Sequence, residues 1–470
     1  MSVSQHLRTG SSRVKRGGGE RASVLIIILW IAFGLVSVSL YFAHSMSLEM
    51  RATDNRAAGA EAEQAIGGAV RYLTNMLITL QAPGSLPDTN AYQSVNVPVG
   101  DAAFWVIGRG DDQTPADQPV FGLVDEASKL NINTATLAML QNLPRMTPEL
   151  AAAIIDWRDA DSTVTTGGAE DETYARLTPA YKCKNAPFES IDELRLVYGM
   201  DLDILYGEDV NLNGVLDGNE NDGDTSMPAD NRDGRLDAGI LNYVTVYSRE
   251  PNTDTNGAAR VNISSLTATQ IRPLLQTNFA AARVTQILAN LGLGGGGGPG
   301  GGGGATVPFP SPLRFYIRSR MTAEEFAQIG NLLTVTNGSI QGRVNVRTAS
   351  AAVLACLPGC DAAAAQQLIS YRRSNPDKLN SIAWVADALS SNTAALQALQ
   401  AGDYLTTLSY QFTADVAAVG HFGRGYRRVK FIVDTADGSP IIRYRQELTR
   451  LGWALGKQAR EKLMTAKAMQ

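Results

Sequence analysis

Residues 209–220, DVNLNGVLDGNE, place oxygen-bearing side chains at loop positions one, three, five, nine and twelve: Asp209, Asn211, Asn213, Asp217 and Glu220. Gly214 stands at position six and the apolar Leu216 at position eight. Calcium takes six to eight hard oxygens, and this spacing lets one short turn wrap them around the ion. The glycine permits the sharp bend, and position seven supplies a backbone carbonyl. The expected ligands of a Ca2+ ion are therefore Asp209, Asn211, Asn213, Val215, Asp217 and Glu220; the competing reading is a solvated acidic loop. A helix is expected only on the upstream side, over residues 191–206. A second acidic cluster follows, with Asp230, Asn231, Asp233, Gly234 and Asp237, but Ala229 and Ile240 occupy its first and twelfth ligand places. It cannot complete a site alone, and either lends oxygens to a neighbouring ion or forms a turn.

Other chemistry finds little support. No Gly-x-Ser-x-Gly, no His-Glu-x-x-His and no usable Ser/His/Asp set occurs, so the chain reads as non-enzymatic. His6, His44 and His421 are scattered, which disfavours zinc. Cys183, Cys356 and Cys360 do not make a disulfide framework. The spacing of Cys356 and Cys360 suits either a small disulfide-closed loop or two buried positions of a helical hairpin. Residues 294–304 are glycine broken only by Pro299, a flexible linker without the Lys-Ser or Lys-Thr of a phosphate loop. Residues 452–458, GWALGKQ, fall one residue short of such a loop, and Gln458 offers no metal-binding hydroxyl.

The elements that would position the loop begin with one apolar helix, residues 24–43, long enough at 1.5 Å per residue to cross a hydrocarbon core of about 30 Å. Arg8, Arg13, Lys15, Arg16 and Arg21 precede it against the single acid Glu20, which keeps the N-terminus cytoplasmic and exports the rest. A cleaved secretory signal would have a shorter apolar run. Beyond the span Ala58, Ala62, Ala65, Ile66, Ala69, Val70, Leu73, Leu77 and Leu80 recur every three or four residues, the period of an amphipathic helix, until Pro83 and Gly84 stop it. Without residues 1–22 the chain keeps 36 basic and 45 acidic residues, a net charge of −9. An acidic exported part disfavours a phosphate-binding surface and suits calcium or basic partners.

A basic leader, a spanning helix continuous with an amphipathic one, and a globular remainder together resemble type IV pilins and secretion pseudopilins. That resemblance implies cleavage by a prepilin peptidase at the cytoplasmic face, here after Ala22 to leave Ser23, with a cut after Gly19 as the other register. In either register the fifth mature residue is apolar, Ile27 or Val24, where the family usually has Glu. A carboxylate inside the bilayer needs a cationic partner, supplied in the family by the amine of the subunit ahead. A subunit at the tip has none ahead. The member of the family that lacks this Glu and is unusually large is the minor pseudopilin K of type II secretion.

An internal repeat supports this. LNINTATLAMLQNLPRMTPELAAAIIDWRD at 130–159 and VNVRTASAAVLACLPGCDAAAAQQLISYRR at 344–373 share Asn-x-x-Thr-Ala, an apolar helix, Leu-Pro and a second helix ending in aromatic-Arg. Each resembles a helix-hairpin-helix unit. DNA-binding versions aim hairpin amides at a phosphate and carry a second glycine; here Thr147 and Asp361 replace that glycine, so no nucleic acid is expected. Residues 181–200 resemble the K family's Pro-Phe-x-Ser…Gly-Met segment, and Val261-Asn262-Ile263-Ser264 another Asn-x-Asn-Thr start.

The expected fold is α+β: a pilin helix packed on an antiparallel sheet, with a large inserted helical domain containing helix-hairpin-helix-like units. The expected divisions are a leader (1–22), the helix (23–82), first strands (83–125), the inserted domain (126–291, with the calcium loop region at 209–240), a Gly-rich linker (292–312), a second hairpin unit (313–400), C-terminal strands (401–453) and a tail (454–470). The resemblance implies a minor pseudopilin at the tip of the pseudopilus. It would be single-pass in the bacterial inner membrane with its main domain periplasmic, and partnered by minor pseudopilins of the I and J types. The alternatives are a membrane-anchored DNA-binding protein of competence type and a calcium-dependent adhesin.

Overall fold

The structure, a computed structural model, describes residues 19–79, 83–110, 114–254, 256–294 and 306–468. The leader as far as residue 18, Leu80 of the helical stripe and most of the glycine run lie outside the described residues. The chain divides into two compact units, residues 1–58 and 59–470. Helix α1 runs Gly19–Ile78 without a break. From Val24 its most apolar eighteen-residue stretch has a mean hydropathy of 2.6 and is wholly exposed, enough in length and composition to cross a membrane.

In the second unit the expected stripe is the buried one: Ala62, Ala65, Ile66, Ala69, Leu73 and Leu77 are all inside. They pack on a six-stranded antiparallel sheet of β1 (Val97–Val99), β2 (Ala102–Ile107), β3 (Val124–Asp125), β12 (Gln411–Val419), β13 (Arg427–Asp434) and β14 (Ile441–Glu447). Its order is β1-β2-β12-β13-β14, with β3 also pairing β12. Strand side chains alternate between faces, and Phe104, Val106, Ala414, Val416, Ala418, Val429 and Phe431 all turn to the helix. Alanines on α1 let its axis approach closely. Each fully buried large side chain such as Ile66 or Leu73 contributes about 1.5–3 kcal/mol.

The other face of the sheet is covered as well, since all nine residues of β12 are buried. Part of the cover is the C-terminal segment expected as a tail. It forms a helix, Gly456–Ala468, and Leu455, Ala459 and Leu463 pack with Trp105, Ile107, Ala417 and Val419.

Between β3 and β12 lies the helical part, and it repeats one design three times. β4 (Leu130–Asn131) pairs in parallel with β5 (Val244–Thr245), β7 (Val261–Asn262) with β8 (Leu333–Thr334), and β10 (Val344–Asn345) with β11 (Leu405–Thr406). Each puts Asn opposite Thr. The Asn carboxamide accepts from the backbone N–H two residues on, at 3.0 Å from Asn133, 2.8 Å from Ser264 and 3.0 Å from Arg347. The Thr hydroxyl does the same for Tyr247, Thr336 and Leu408. Parallel strands require a crossover, and after each Asn strand it starts with a helix pair: Leu137–Gln141 and Pro148–Arg158, Ala268–Asn278 and Ala281–Leu291, Ala351–Ala355 and Ala362–Ser374. In the first and third copies the arginine ending the pair returns to its own start. Arg158 donates to the carbonyls of Ile132 and Ala135, and Arg372 to those of Val346 and Ala349. The antiparallel pair β6 (Arg249–Glu250) and β9 (Ile340–Gln341) links the second copy to its neighbours. One hydrophobic core takes side chains from Leu130 through Leu405, including Leu293 and Phe309 on either side of the glycine run.

Candidate calcium loop and its seat on the sheet

The helix Leu202–Tyr206, capped by Asp201, delivers the chain to the loop at 209–220. Asp209 is fully buried, and Asn213, Val215 and Glu220 nearly so. Asp209 accepts from the backbone N–H of Asn213 at 2.9 Å and of Gly214 at 3.0 Å. Asn211 Oδ1 accepts from Asn213 N–H and Asn213 Oδ1 from Val215 N–H. These bonds fold the turn and leave each oxygen a further lone pair. Gly214 has a φ of +70°, the left-handed region that its position-six role requires, and an added Cβ would lie 3.1 Å from Arg109.

Glu220 closes the loop: its Oε2 accepts from Asp217 N–H at 3.0 Å, while Oε1 is buried with no hydrogen-bond partner. Burial pushes this carboxyl up to about 8, and the nearby Asp209 and Asp217 push the same way. A buried carboxylate without a cation is costly, and a divalent ion is the partner that oxygen and spacing fit. Asp217 instead accepts from the amides of Asn211 and Asn213, at 2.7 and 3.0 Å. Among the described residues, three or more His, Cys, Asp or Glu side chains nowhere converge closely enough to hold an ion by themselves. An ion here would have to draw on the two amides and the Val215 carbonyl as well.

The later acidic cluster differs. Asp230 accepts from the N–H groups of Asp222, Gly223 and Arg232, which hold its carboxyl below the usual range. Asn231 and Asp233 accept from N–H groups two residues on, and Asp237 pairs with Arg145 at 2.7 Å. It is a run of turns.

Two arginines with no local sequence signal, Arg428 and Arg109, seat the loop at 209–220. Arg428 of β13 is fully buried and grips Asp415 of β12 with two bonds, 2.9 Å from Nε and 2.7 Å from Nη2. Its Nη groups also donate to the carbonyls of Asn211 and, at 2.6 Å, Leu212. Arg109, following β2, donates to the same Leu212 carbonyl at 2.8 Å and to Asn242 at 3.3 Å. Beside this seat is a cavity of about 80 Å³ lined by Leu212, Asp415 and Lys430 among others, and burial lowers the Lys430 ammonium to about 8.

The hairpin turns offer little to a phosphate. Arg145 is committed to Asp203 and Asp237, and Asp361 caps its helix by accepting from Ala364 N–H at 2.8 Å. All three cysteines are free and buried, and burial pushes the Cys356 and Cys360 thiols up to about 12. Ala22 and Ser23 lie in the helical backbone of α1.

A long helix, apolar in its first half and packed on an antiparallel sheet in its second, is the arrangement that the resemblance to pilins leads one to expect. Residues 123–206 match the family model described as Type II secretion system (T2SS), protein K. Curated relatives named Type II secretion system protein K agree. The one from Pectobacterium carotovorum subsp. carotovorum is 42% identical over 69 residues, 14% of this chain and 21% of the relative. That from Klebsiella pneumoniae is 37% identical over 93 residues, 20% of this chain and 26% of the relative. That from Aeromonas hydrophila is 29% identical over 203 residues, 40% of this chain and 60% of the relative. The chain thus spans between 21% and 60% of the length of these relatives. Among solved structures, the GspK-GspI-GspJ complex from the enterotoxigenic Escherichia coli Type 2 Secretion System matches with a TM-score of 0.37 at 12% identity, over 86% of this chain and 98% of that one.

Proposed function

We propose that this protein is a non-enzymatic minor pseudopilin that sits at the tip of a type II secretion pseudopilus and supports its assembly. The observation that carries the reading is the protein K match over residues 123–206 in the same chain as a 60-residue helix with an apolar N-terminal half. In this reading residues 24–43 span the inner membrane with the N-terminus cytoplasmic and the main domain periplasmic. Prepilin peptidase removes the leader after Ala22. Minor pseudopilins of the I and J types are the neighbours. The apolar Ile27, at the fifth mature position, suits a subunit with none ahead of it, because an unpartnered carboxylate in a bilayer is expensive.

Calcium belongs to the same reading. Asp209, Asn211, Asn213, Val215, Asp217 and Glu220 would hold one Ca2+ ion, and the ion's charge would offset the mutual repulsion of their oxygens. Its role is to hold the loop shut.

N-terminal sequencing of the full chain recovered from host membranes tests the assignment: Ser23 is the expected first residue, and an intact Met1 overturns it. In the same host Ile27→Glu should lower secretion and incorporation into the pseudopilus. Normal secretion by that variant would remove the tip placement.

A further inference from the structure

We infer that Arg428, assisted by Arg109, is a positioning residue for the calcium loop, so that metal binding and the docking of the loop on the sheet are one event. This rests on the calcium reading above and adds residues that contribute no ligand oxygen.

Three observations converge on the two arginines. The Arg428 guanidinium is fully buried, and it bridges Asp415 to the carbonyls of loop positions three and four, Asn211 and Leu212. Leu212 has a φ of +56°, a left-handed conformation costly for a leucine. Its carbonyl is held from two sides, by Arg428 and by Arg109. The turn is therefore braced in its bent form by groups on β13 and just after β2, more than 100 residues away on each side in sequence. Asp415 neutralises Arg428, so the brace adds little net charge beside a cation. What it supplies is geometry, because oxygens already aimed inward need less ordering when the ion arrives. Coupling is reciprocal: if the seat favours the ion, the ion favours the seat.

The test uses the full chain in detergent, titrated with CaCl2 by calorimetry, with hydrogen exchange of β12 and β13 followed with and without the ion. Arg428→Lys keeps the charge but cannot bridge two carbonyls and a carboxylate, and Arg109→Ala removes the second brace. Both should weaken calcium binding, Arg428→Lys by roughly tenfold or more, the usual range for groups that orient metal ligands. Both should also reduce calcium-induced protection of the β12 and β13 amides. Val429→Ala, equally buried but facing α1, serves as the control for general destabilisation. If both arginine variants bind as tightly as the unaltered protein, or Val429→Ala loses as much affinity as Arg428→Lys, the positioning role is overturned. If the unaltered protein binds no calcium, or the Asp209→Ala/Glu220→Ala variant binds it equally well, the calcium reading falls, and this inference with it.

Discussion

One face of the sheet is buried by apolar packing alone, while the other joins an apolar patch under the C-terminal helix to a polar half. Towards α1 the sheet presents Phe104, Val106, Ala414, Val416, Ala418, Val429 and Phe431 to a helix of alanines, isoleucine and leucine. On the other side β12 and β13 offer Gln411, Thr413, Asp415, Arg428 and Lys430, of which Gln411, Thr413, Asp415 and Arg428 are buried. The dry face is held by area and packing, which are non-directional. The polar half is held by bonds of fixed geometry, some within the sheet, such as Arg428 to Asp415, and others to the segments laid over it, such as Thr413 to Glu126 and Arg428 to Leu212. A dry face gives adhesion, while a polar buried face decides which residues of the cover sit where.

Arg428→Met breaks the comparison most sharply, since it leaves Asp415 as a buried carboxylate without its partner. A loss of about 3–5 kcal/mol is expected for such a break, read from denaturant unfolding of the full chain in detergent. Arg428→Met/Asp415→Leu should recover most of that loss. If the double variant is as unstable as the single one, the pair contributes more than charge compensation. On the dry face Leu73→Ala should cost about 2–5 kcal/mol through a cavity, and with no charge involved the loss should not change with salt.

The proposed calcium loop comes next in size. At a calcium concentration a hundredfold above its dissociation constant, binding to the folded form alone adds about 2.7 kcal/mol. Thermal melts with calcium and with chelator should differ accordingly, and Asp209→Ala/Glu220→Ala should remove most of the difference. Equal midpoints with and without the ion would return residues 209–220 to the status of the acidic turns at 230–237.

The dry face was largely legible in the sequence and the polar face was not, for a physical reason. Ala62, Ala65, Ile66, Ala69, Leu73 and Leu77 advertise their burial by a repeated local period, and the strands by alternation. The calcium spacing is equally local. Polar positions alternating with apolar ones along β12 carry no local sign of burial, because nothing nearby reveals a cover contributed by residues some 200 positions away. The returning strands Val244–Thr245 and Leu333–Thr334 are too short to show a period, and Leu405–Thr406, within the expected C-terminal strands, pairs instead with Val344–Asn345 of the helical part. Their shared apolar-Thr pair is the available signal, because each pairs with one of the Asn starts at Asn131, Asn262 and Asn345.

The smallest effect concerns Asp125, where β3 meets the polar side. Its carboxylate accepts from Ala127 N–H at 2.9 Å, Asn345 Nδ2 at 3.0 Å and Thr348 Oγ1 at 2.6 Å, tying the sheet to the third copy of the repeat. Burial nevertheless outweighs these bonds and raises the group from 3.8 to about 6. Between those values the folded chain holds a proton that the unfolded chain has lost, so stability is greatest below the lower value. It declines as pH rises through the window and levels off above about 6. Asp125→Asn cannot ionise and should lack this contribution to the slope. It should also lose about 1–2 kcal/mol at neutral pH, because its amide group turns a donor towards another donor. Unfolding of both forms from pH 4 to 7 should therefore show a stability difference that changes across the window. A difference constant over that range would mean that Asp125 keeps its charge in the folded chain and that its hydrogen bonds, not burial, set its ionisation.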